Sequence, residues 1–210
     1  IPNLRPGPGT TFQSYETPWT NVSNSPFRLF KRWIHEGGIS APLIVHWPNK
    51  IDEPRIESEP LHIMDIPATS IDAAGADYPS EFNGNKIKPI EGESFLKLLS
   101  DKWSREQPMY WEHEGNQGIR IGEWKLVKEY GGDWELYNMT DDRTELNNLA
   151  AKDTERVNDM SSKWEEWAKN SNVLQWPVDP NVMAKRLEGD HSHIHPVSYT
   201  HLRAHETHTN

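Results

Sequence analysis

The chain has 210 residues, of which 34% are hydrophobic and 26% charged, and its formal net charge is -10. No stretch approaches the roughly 20 consecutive apolar residues of a membrane helix, and the first residues do not have the pattern of a signal peptide. The acidic charge argues against binding duplex DNA, which requires a basic surface. Because the chain has no cysteine, a disulfide framework, a thiolate zinc site and a cysteine nucleophile within it are excluded.

The first half begins with segments that have little periodicity. Residues 1–26 are rich in Pro, Gly and polar residues and predict a loop entering from an upstream segment. Residues 27–35 predict a short helix or an extended arm, which Gly37 and Gly38 end because glycine adopts backbone angles closed to other residues. Residues 41–48 are apolar and lie between prolines, which predicts a buried strand.

A helix is predicted over residues 61–74. Asp65 is a candidate N-cap, Pro67 lies in the first turn and Gly75 follows the end. A second short apolar segment, residues 94–100, follows in a connector that contains several Gly and Pro. The apolar face of the predicted helix comprises Ile63, Ile66, Ile71 and Ala74.

Residues 108–137 alternate apolar and polar side chains and predict a meander of three or four antiparallel strands. Gly122-Glu123 and Gly131-Gly132 are placed to form its turns. Residues 153–170 predict an amphipathic helix that follows Asp153 as N-cap and covers one face of the meander. Its apolar stripe comprises Val157, Met160, Trp164, Trp167 and Ala168.

The last twenty residues hold six of the ten histidines. Such a tract can bind metal, but in a polar tail that contains proline it predicts disorder. Part of it also resembles translated sequencing-adapter read-through, so we exclude the tail from fold reasoning.

A cluster of cations, Arg28, Lys31 and Arg32, stands just before the glycine pair. Backbone at glycine can approach a ligand closely, so this arrangement suits an anion. The alternative is a set of solvated charges on a short helix.

This stretch resembles the signature of the type I sulfatases of the alkaline phosphatase superfamily. In that family a lysine lies five residues before the glutamate of a Glu-Gly-Gly motif, which a hydrophobic strand and Trp-Pro follow. The matching residues here are Lys31, Glu36, Gly37, Gly38, Pro42, Trp47 and Pro48. Further matches, in the family's order, are residues 61–79, 90–99 (with Glu91 where the family has Asp), 110–127 and 134–150.

The resemblance covers about residues 14–177. It implies an α/β fold, alkaline phosphatase/sulfatase-like and truncated, in which a late strand and helices of the main sheet precede a small C-terminal antiparallel sheet packed on an amphipathic helix. The implied organisation is an entering loop (1–26), the C-terminal part of the α/β domain (27–105), the antiparallel-sheet subdomain (106–177) and a disordered or artefactual tail (178–210).

The resemblance implies that Lys31 contacts the sulfate group and stabilises or protonates the leaving oxygen, where negative charge develops during hydrolysis. The alternative is a surface lysine whose stem packs against Trp33. His113 would hydrogen-bond the non-sulfate part of the substrate, or else be a paired surface group between two glutamates. Asn116 lies in the same loop with the same two interpretations.

Three other histidines, His35, His46 and His62, have apolar neighbours and predict core or interface packing. The polar stretch around Asp142 and Glu145 superficially suggests a calcium loop, yet it lacks the EF-hand spacing. It predicts a capped turn before the last helix.

The resembled family uses a formylglycine, made from Cys or Ser in a Cys/Ser-x-Pro-x-Arg motif, beside a calcium ion held by Asp and Asn. The nearest string here is residues 24–28, and Asn24 cannot be oxidised to the aldehyde. Calcium and formylglycine are therefore implied for the full-length enzyme, with neither metal ligands nor nucleophile in this chain. We expect the 210 residues alone to be inactive.

The implied activity is hydrolysis of a sulfuric ester, with an aryl or glycan sulfate as substrate. Two alternatives stay open: a phosphodiesterase or phosphonate hydrolase of the same superfamily, and a noncatalytic carbohydrate-binding module. A periplasmic or secreted location is usual for the family, but this sequence does not fix it, nor does it fix the oligomeric state.

Overall fold

The computed structural model describes residues 16–179. Two units are distinguished, one through Val173 and one from Leu174 onward, and the second contributes no helix or strand among its described residues. The predictions for residues 1–15 and for nearly all of the tail lie outside the described residues. No helix within residues 16–179 is long and apolar enough to cross a membrane.

Part of the predicted entering loop is helical. Helix α1 spans Glu16–Asn24, so the loop prediction is wrong there. Pro18 occupies the first turn, where its missing N–H is not needed by the helix. The side chain of Asn24 bonds back to the carbonyl of Thr20 at 2.7 Å.

A four-stranded antiparallel sheet is the centre of the first unit and confirms the predicted meander. Its order follows the chain. Gly122 and Gly131, at φ of +56° and +79°, lie in the second and third turns, as the sequence predicts. The strands are β3 (Met109–His113), β4 (Asn116–Ile121), β5 (Trp124–Lys128) and β6 (Trp134–Asn138).

One face of this sheet is covered by helix α4 (Thr154–Asn170), also as predicted. Asp153 caps the helix by accepting a hydrogen bond from the Arg156 backbone N–H at 3.0 Å. Because the apolar stripe of α4 faces the sheet, its side chains share a core with one side of the central strands. The buried members are Ile119, Leu126, Leu136, Met160, Trp164 and Ala168.

The opposite face is covered by residues 27–39. Ile34 packs there with Val127, Tyr137 and Met139. A Cβ at Gly118 would lie 2.4 Å from the Ile34 Cγ2 atom, so glycine in β4 makes room for this side chain. The sheet is therefore buried on both faces, and Ile34 fixes the segment that precedes the glycine pair.

Residues 27–35 form turns rather than a helix or an extended arm, and the glycine pair does not end them. Gly37 and Gly38 lie inside the one-turn helix α2 (Glu36–Ile39). A Cβ at Gly37 would lie 2.3 Å from the Arg28 carbonyl oxygen, and one at Gly38 2.0 Å from that of Trp33. Both glycines are required because the preceding turns fold back onto α2.

The predicted buried strand over residues 41–48 is wrong. The segment has no strand conformation and is largely exposed, with Ile44 at 90% exposure. A strand requires a hydrogen-bonded neighbour, and no part of residues 16–179 pairs with this segment.

Helix α3 (Asp65–Ala73) confirms the predicted helix, but the apolar face identified from the sequence is not the face that is buried. Ile63 is 77% exposed, whereas the polar Asp65 and Thr69 are buried. Asp65 is the first helical residue rather than the N-cap, and its carboxylate accepts hydrogen bonds from the backbone N–H groups of His62 and Glu93, at 2.6 and 2.9 Å.

The remaining elements lie between α3 and β3 in the sequence. They are the two-residue strands β1 (Glu81–Phe82) and β2 (Asn85–Lys86), which form a hairpin, and a 3-10 helix at Leu96–Leu99. The hydroxyl of Thr69 accepts the Phe95 backbone N–H at 3.0 Å, which fixes the segment before the 3-10 helix against α3. The domain boundaries derived from the sequence stay a prediction.

Candidate functional site

Lys31 and His113, the two site residues predicted from the sequence, line one open cavity of about 380 Å³. Its walls come from five parts of the first unit: the turns before α2, the end of α2 itself, the residue His62 ahead of α3, strand β3 and helix α4. The aromatic members of the wall are Trp33, Tyr110, Trp111 and Trp167.

Lys31 is exposed, and its ammonium group has no ion-pair or hydrogen-bond partner among the described residues. It stands between Leu29 and Arg32, whose φ angles are +64° and +118°. Such backbone angles are unfavourable for residues other than glycine and persist only where surrounding contacts hold them. The turns thus present Lys31 at the cavity as a cation that no carboxylate within residues 16–179 neutralises.

The Trp33 ring, which the sequence offers as a packing surface for the Lys31 stem, has other contacts. Phe30 meets it edge-on at 4.7 Å, and the Arg32 guanidinium lies 5.9 Å from its centroid. The indole N–H donates to Glu129 Oε2 at 3.0 Å. Trp33 therefore anchors the turn that carries Lys31.

His113 is exposed at the end of β3, and the buried Asn116 fixes its backbone. The Asn116 amide donates to the carbonyl of His113 at 2.9 Å and to that of Arg32 at 3.3 Å, while its oxygen accepts the Tyr130 N–H at 3.1 Å. Asn116 thus joins the Lys31 turn to the His113 hairpin. Its amide is engaged with protein backbone and is not offered to a ligand.

A second contact between these two loops is ionic. Arg32 Nε lies 2.7 Å from Glu114 Oε2, so the charge of Arg32 is paired and that of Lys31 is not. Of the cation cluster seen in the sequence, Arg28 is also paired, with Glu135 at 3.3 Å. Lys31 alone of the three has no anionic partner among the described residues.

His62 also lines the cavity, whereas the sequence predicts that it serves packing. Burial lowers the pKa of its imidazole, an effect that Asp65 opposes and Arg105 reinforces. The ring lies against Trp111, with centroids 5.8 Å apart. No sequence signal identifies His62 as a cavity residue, because only the tertiary fold brings residue 62 beside strand β3.

The other two histidines differ from each other. His35 is buried, as predicted. His46 is exposed within residues 41–48, so it does not pack in a core of the described residues, and its alternative, packing at an interface, stays a prediction. The turn around Asp142 agrees with the sequence: the carboxylate accepts the backbone N–H groups of Leu146 and Asn147 at 2.9 and 2.8 Å.

One group of potential metal ligands occurs among the described residues: His35, Glu129 and Glu135. Arg28 already occupies this cluster, 3.3 Å from Glu135 and 3.9 Å from Glu129. Calcium needs six to eight oxygen ligands, which three side chains around a guanidinium do not supply. The cluster does not fit the calcium ion that the resemblance implies.

This cluster is instead an ion-pair network with one strongly acidic carboxyl. The hydrogen bond from His35, together with one from Tyr137 and the charge of Arg28, lowers the pKa of Glu135 to about 2 despite the opposing effect of burial. Glu135 is therefore ionised in the folded protein at any ordinary pH.

Deeper still, a buried ion triad ties the glycine-pair helix to the sheet. Lys125 Nζ donates to Glu36 Oε1 at 2.8 Å and forms an ion pair with Glu145 Oε1 at 2.8 Å. The other oxygen of Glu145 accepts the Glu36 backbone N–H at 2.8 Å. The sequence predicts none of these contacts, although all three residues belong to stretches that carry the family resemblance.

Comparison with known proteins identifies the protein family to which the chain belongs. A family model described as "N-sulphoglucosamine sulphohydrolase, C-terminal" matches residues 27–170. The chain therefore belongs to this sulfatase family, which confirms the resemblance read from the motifs.

Individual relatives agree with the family. The chain is 29% identical over 181 residues to an uncharacterized sulfatase of Schizosaccharomyces pombe, covering 80% of this chain and 32% of that protein. It is 30% identical over 131 residues to an N-acetylglucosamine-6-O-sulfatase of Bacteroides thetaiotaomicron, covering 58% and 23%. The chain thus spans a third or less of the length of these curated relatives.

A solved structure shows the same fold. It comes from work on the metabolism of multiple glycosaminoglycans by Bacteroides thetaiotaomicron, and it matches with a TM-score of 0.57 and 24% identity over 68% of this chain and 32% of that one. The predicted α/β sulfatase-like fold class, present here as its C-terminal portion, is confirmed.

Proposed function

We propose that the whole protein to which this chain belongs is a sulfuric ester hydrolase and that the cavity beside Lys31 receives the sulfate ester. The observation that carries the proposal is the meeting of Lys31 and His113 in one cavity of a chain that belongs to a sulfatase family. The named relatives are sulfatases, which favours this activity over a phosphodiesterase and over a noncatalytic binding module.

The chemistry of the cavity suits a monoanionic ester. Hydrolysis of the ester adds negative charge to the departing oxygen, and a fixed cation at that point lowers the barrier. Lys31 offers such a cation because no described carboxylate pairs with it. His113, at the opposite loop, supplies a polar group for the organic part of the substrate.

Within the sulfate esters, we propose a sugar as the organic part. The cavity wall includes Tyr110, Trp111 and Trp167, and aromatic side chains that also have polar tips suit an amphipathic ligand such as a sugar ring. Two relatives have names that specify 6-sulfated amino sugars, N-acetylglucosamine-6-O-sulfatase and N-acetylgalactosamine-6-sulfatase. Both observations favour a glycan over an aryl sulfate.

Calcium and formylglycine belong to the proposal only as groups supplied from outside these 210 residues. The chain has no cysteine, and Asn24 holds an amide bonded to the Thr20 carbonyl in the string nearest to the family's nucleophile motif. None of the steps assigned to Lys31 or His113 depends on either group.

The test is an assay of the whole protein with N-acetylglucosamine 6-sulfate, with released sulfate measured by ion chromatography. We expect release from this ester, little from an aryl sulfate, and none when the 210-residue chain is assayed alone. Release of product from a phosphodiester, with no sulfate from any ester, would support the phosphodiesterase instead.

A further inference from the structure

His62 is held in one orientation at the cavity wall. Its backbone N–H donates to Asp65 Oδ2 at 2.6 Å, which fixes residue 62 to the first turn of α3. Its ring lies 5.8 Å from the Trp111 ring at an angle of 52°. These two contacts from different elements place the imidazole beside the aromatic wall, where a bound sugar would lie.

The two ring nitrogens of His62 have different environments. Nδ1 lies 3.3 Å from the Met64 backbone nitrogen and accepts its N–H. Because a nitrogen that accepts a hydrogen bond carries no proton, the neutral ring carries its proton on Nε2. No residue within 16–179 bonds to Nε2, and that atom is not sealed from solvent. An oriented N–H donor is thus left for a ligand.

The charge state of the ring agrees with this assignment. Burial favours the uncharged imidazole, and of the charged groups that face it, Asp65 opposes that effect while Arg105 adds to it. Lys31 already supplies a cation to the cavity. A neutral donor is therefore suited to a hydroxyl or amide oxygen rather than to the sulfate charge.

We propose that His62 is a substrate-binding residue whose Nε2–H donates a hydrogen bond to an oxygen of the sugar ring substituents. The inference rests on the proposed function, since it names a further contact to the same substrate. It separates His62 from Lys31, which would act on the reacting group, and assigns it to recognition of the organic part.

Two substitutions of His62 test the roles of its two ring nitrogens separately. In His62→Asn the side-chain oxygen can take the place of Nδ1 and keep the Met64 bond, but the Nε2 donor is lost. In His62→Gln the terminal amide reaches the Nε2 position and restores the donor, but the Nδ1 acceptor is lost. A role in substrate binding and a role in local structure therefore predict opposite outcomes.

The measurement is KM and kcat of the whole protein for N-acetylglucosamine 6-sulfate, with melting temperatures of each variant. We expect His62→Asn to raise KM about tenfold, the loss of one hydrogen bond, with kcat changed less than about twofold and an unchanged melting temperature. His62→Gln should keep KM within about threefold of the original. A normal KM in His62→Asn, or equal losses in both variants, would overturn the inference.

Failure of the proposed function has a different outcome. In that case the unsubstituted protein releases no sulfate at all, whereas failure of the His62 assignment leaves full sulfate release and an insensitive KM. Nitrogen NMR of the imidazole adds a readout independent of turnover: the chemical shifts should show the Nε2–H tautomer, and an Nδ1–H tautomer would contradict the assignment.

Discussion

Lys125 and Glu36 form an ion pair of 2.8 Å in the interior of the protein, and the carboxylate of Glu145 lies equally close to the same ammonium group. The pair links strand β5 to the one-turn helix α2 that follows the Lys31 turns. The position of the proposed sulfate-binding lysine therefore depends on a charge cluster that contacts no ligand itself.

Removing the lysine should destabilise the fold strongly. Lys125→Met leaves the buried Glu145 carboxylate without its cation and leaves Glu36 with only the exposed Arg143 at 3.8 Å. Breaking a buried ion pair in this way costs about 3 to 5 kcal/mol. Urea unfolding of the 210-residue chain measures the loss. Lys128→Met on the same strand is the matched control, because Lys128 is only partly buried and contacts the Trp134 ring face; we expect a cost below about 1 kcal/mol there. Equal losses in the two variants would contradict the triad.

Gly118 should not tolerate a side chain, because Ile34 occupies the space that a Cβ atom would need. Its Cβ position lies 2.4 Å from Ile34 Cγ2, so Gly118→Ala should overpack the core and lower the free energy of unfolding by about 1 to 3 kcal/mol. In an Ile34→Ala background the same substitution should cost clearly less. Gly132→Ala, whose nearest contact is the Glu129 carbonyl at 3.4 Å, serves as control. An undiminished cost in the Ile34→Ala background would show that Ile34 is not the cause.

The free energy of unfolding should depend on pH at the acidic end because of Glu135. Its pKa is lowered from 4.5 to about 2 in the folded protein, so the unfolded chain binds the proton more readily. The stabilisation is thus fully present above about pH 4.5 and is lost as the pH falls towards 2, with an upper limit of about 3 kcal/mol. Glu135→Gln should flatten this part of the stability profile, measured by urea unfolding at pH 2.5 to 6. The same slope in both proteins would exclude Glu135 as the source.

Local patterns predict the sheet and the last helix well. The alternation over residues 108–137, the glycines at the turns and the Asp153 cap are local signals, each of which acts on the few residues around it. The strand and turn assignments within this sheet and the Asp153 cap therefore agree with the structure.

The incorrect and missed assignments share a physical cause: the burial and pairing of these residues depend on partners that are distant in the sequence. Residues 41–48 have strand composition but no neighbour among the described residues. Asp65 is buried because Arg105 pairs with its carboxylate and the backbone N–H groups of His62 and Glu93 donate to it. No helical period encodes these contacts. The local sequence around His62 and Lys125 does not distinguish them from ordinary surface residues, although His62 lines the cavity and Lys125 lies in the core.

The candidate site was predicted in part by resemblance. Lys31 and His113 are 82 positions apart, and only the resemblance associated them with one substrate; the structure places both at one cavity. The aromatic wall and the bonds from Asn116 to the Arg32 and His113 carbonyls could be identified only from the fold, because turns, hairpin and helix together form them.

The most direct measurement of the central claim compares Lys31→Ala with Lys152→Ala in the whole protein. Lys152 is an exposed lysine in the turn before α4 and does not line the cavity. If Lys31 stabilises charge at the departing oxygen, its loss should raise the barrier to sulfate release from N-acetylglucosamine 6-sulfate by about two to four kcal/mol, while Lys152→Ala keeps the original rate. An unchanged rate of sulfate release in Lys31→Ala would contradict the account.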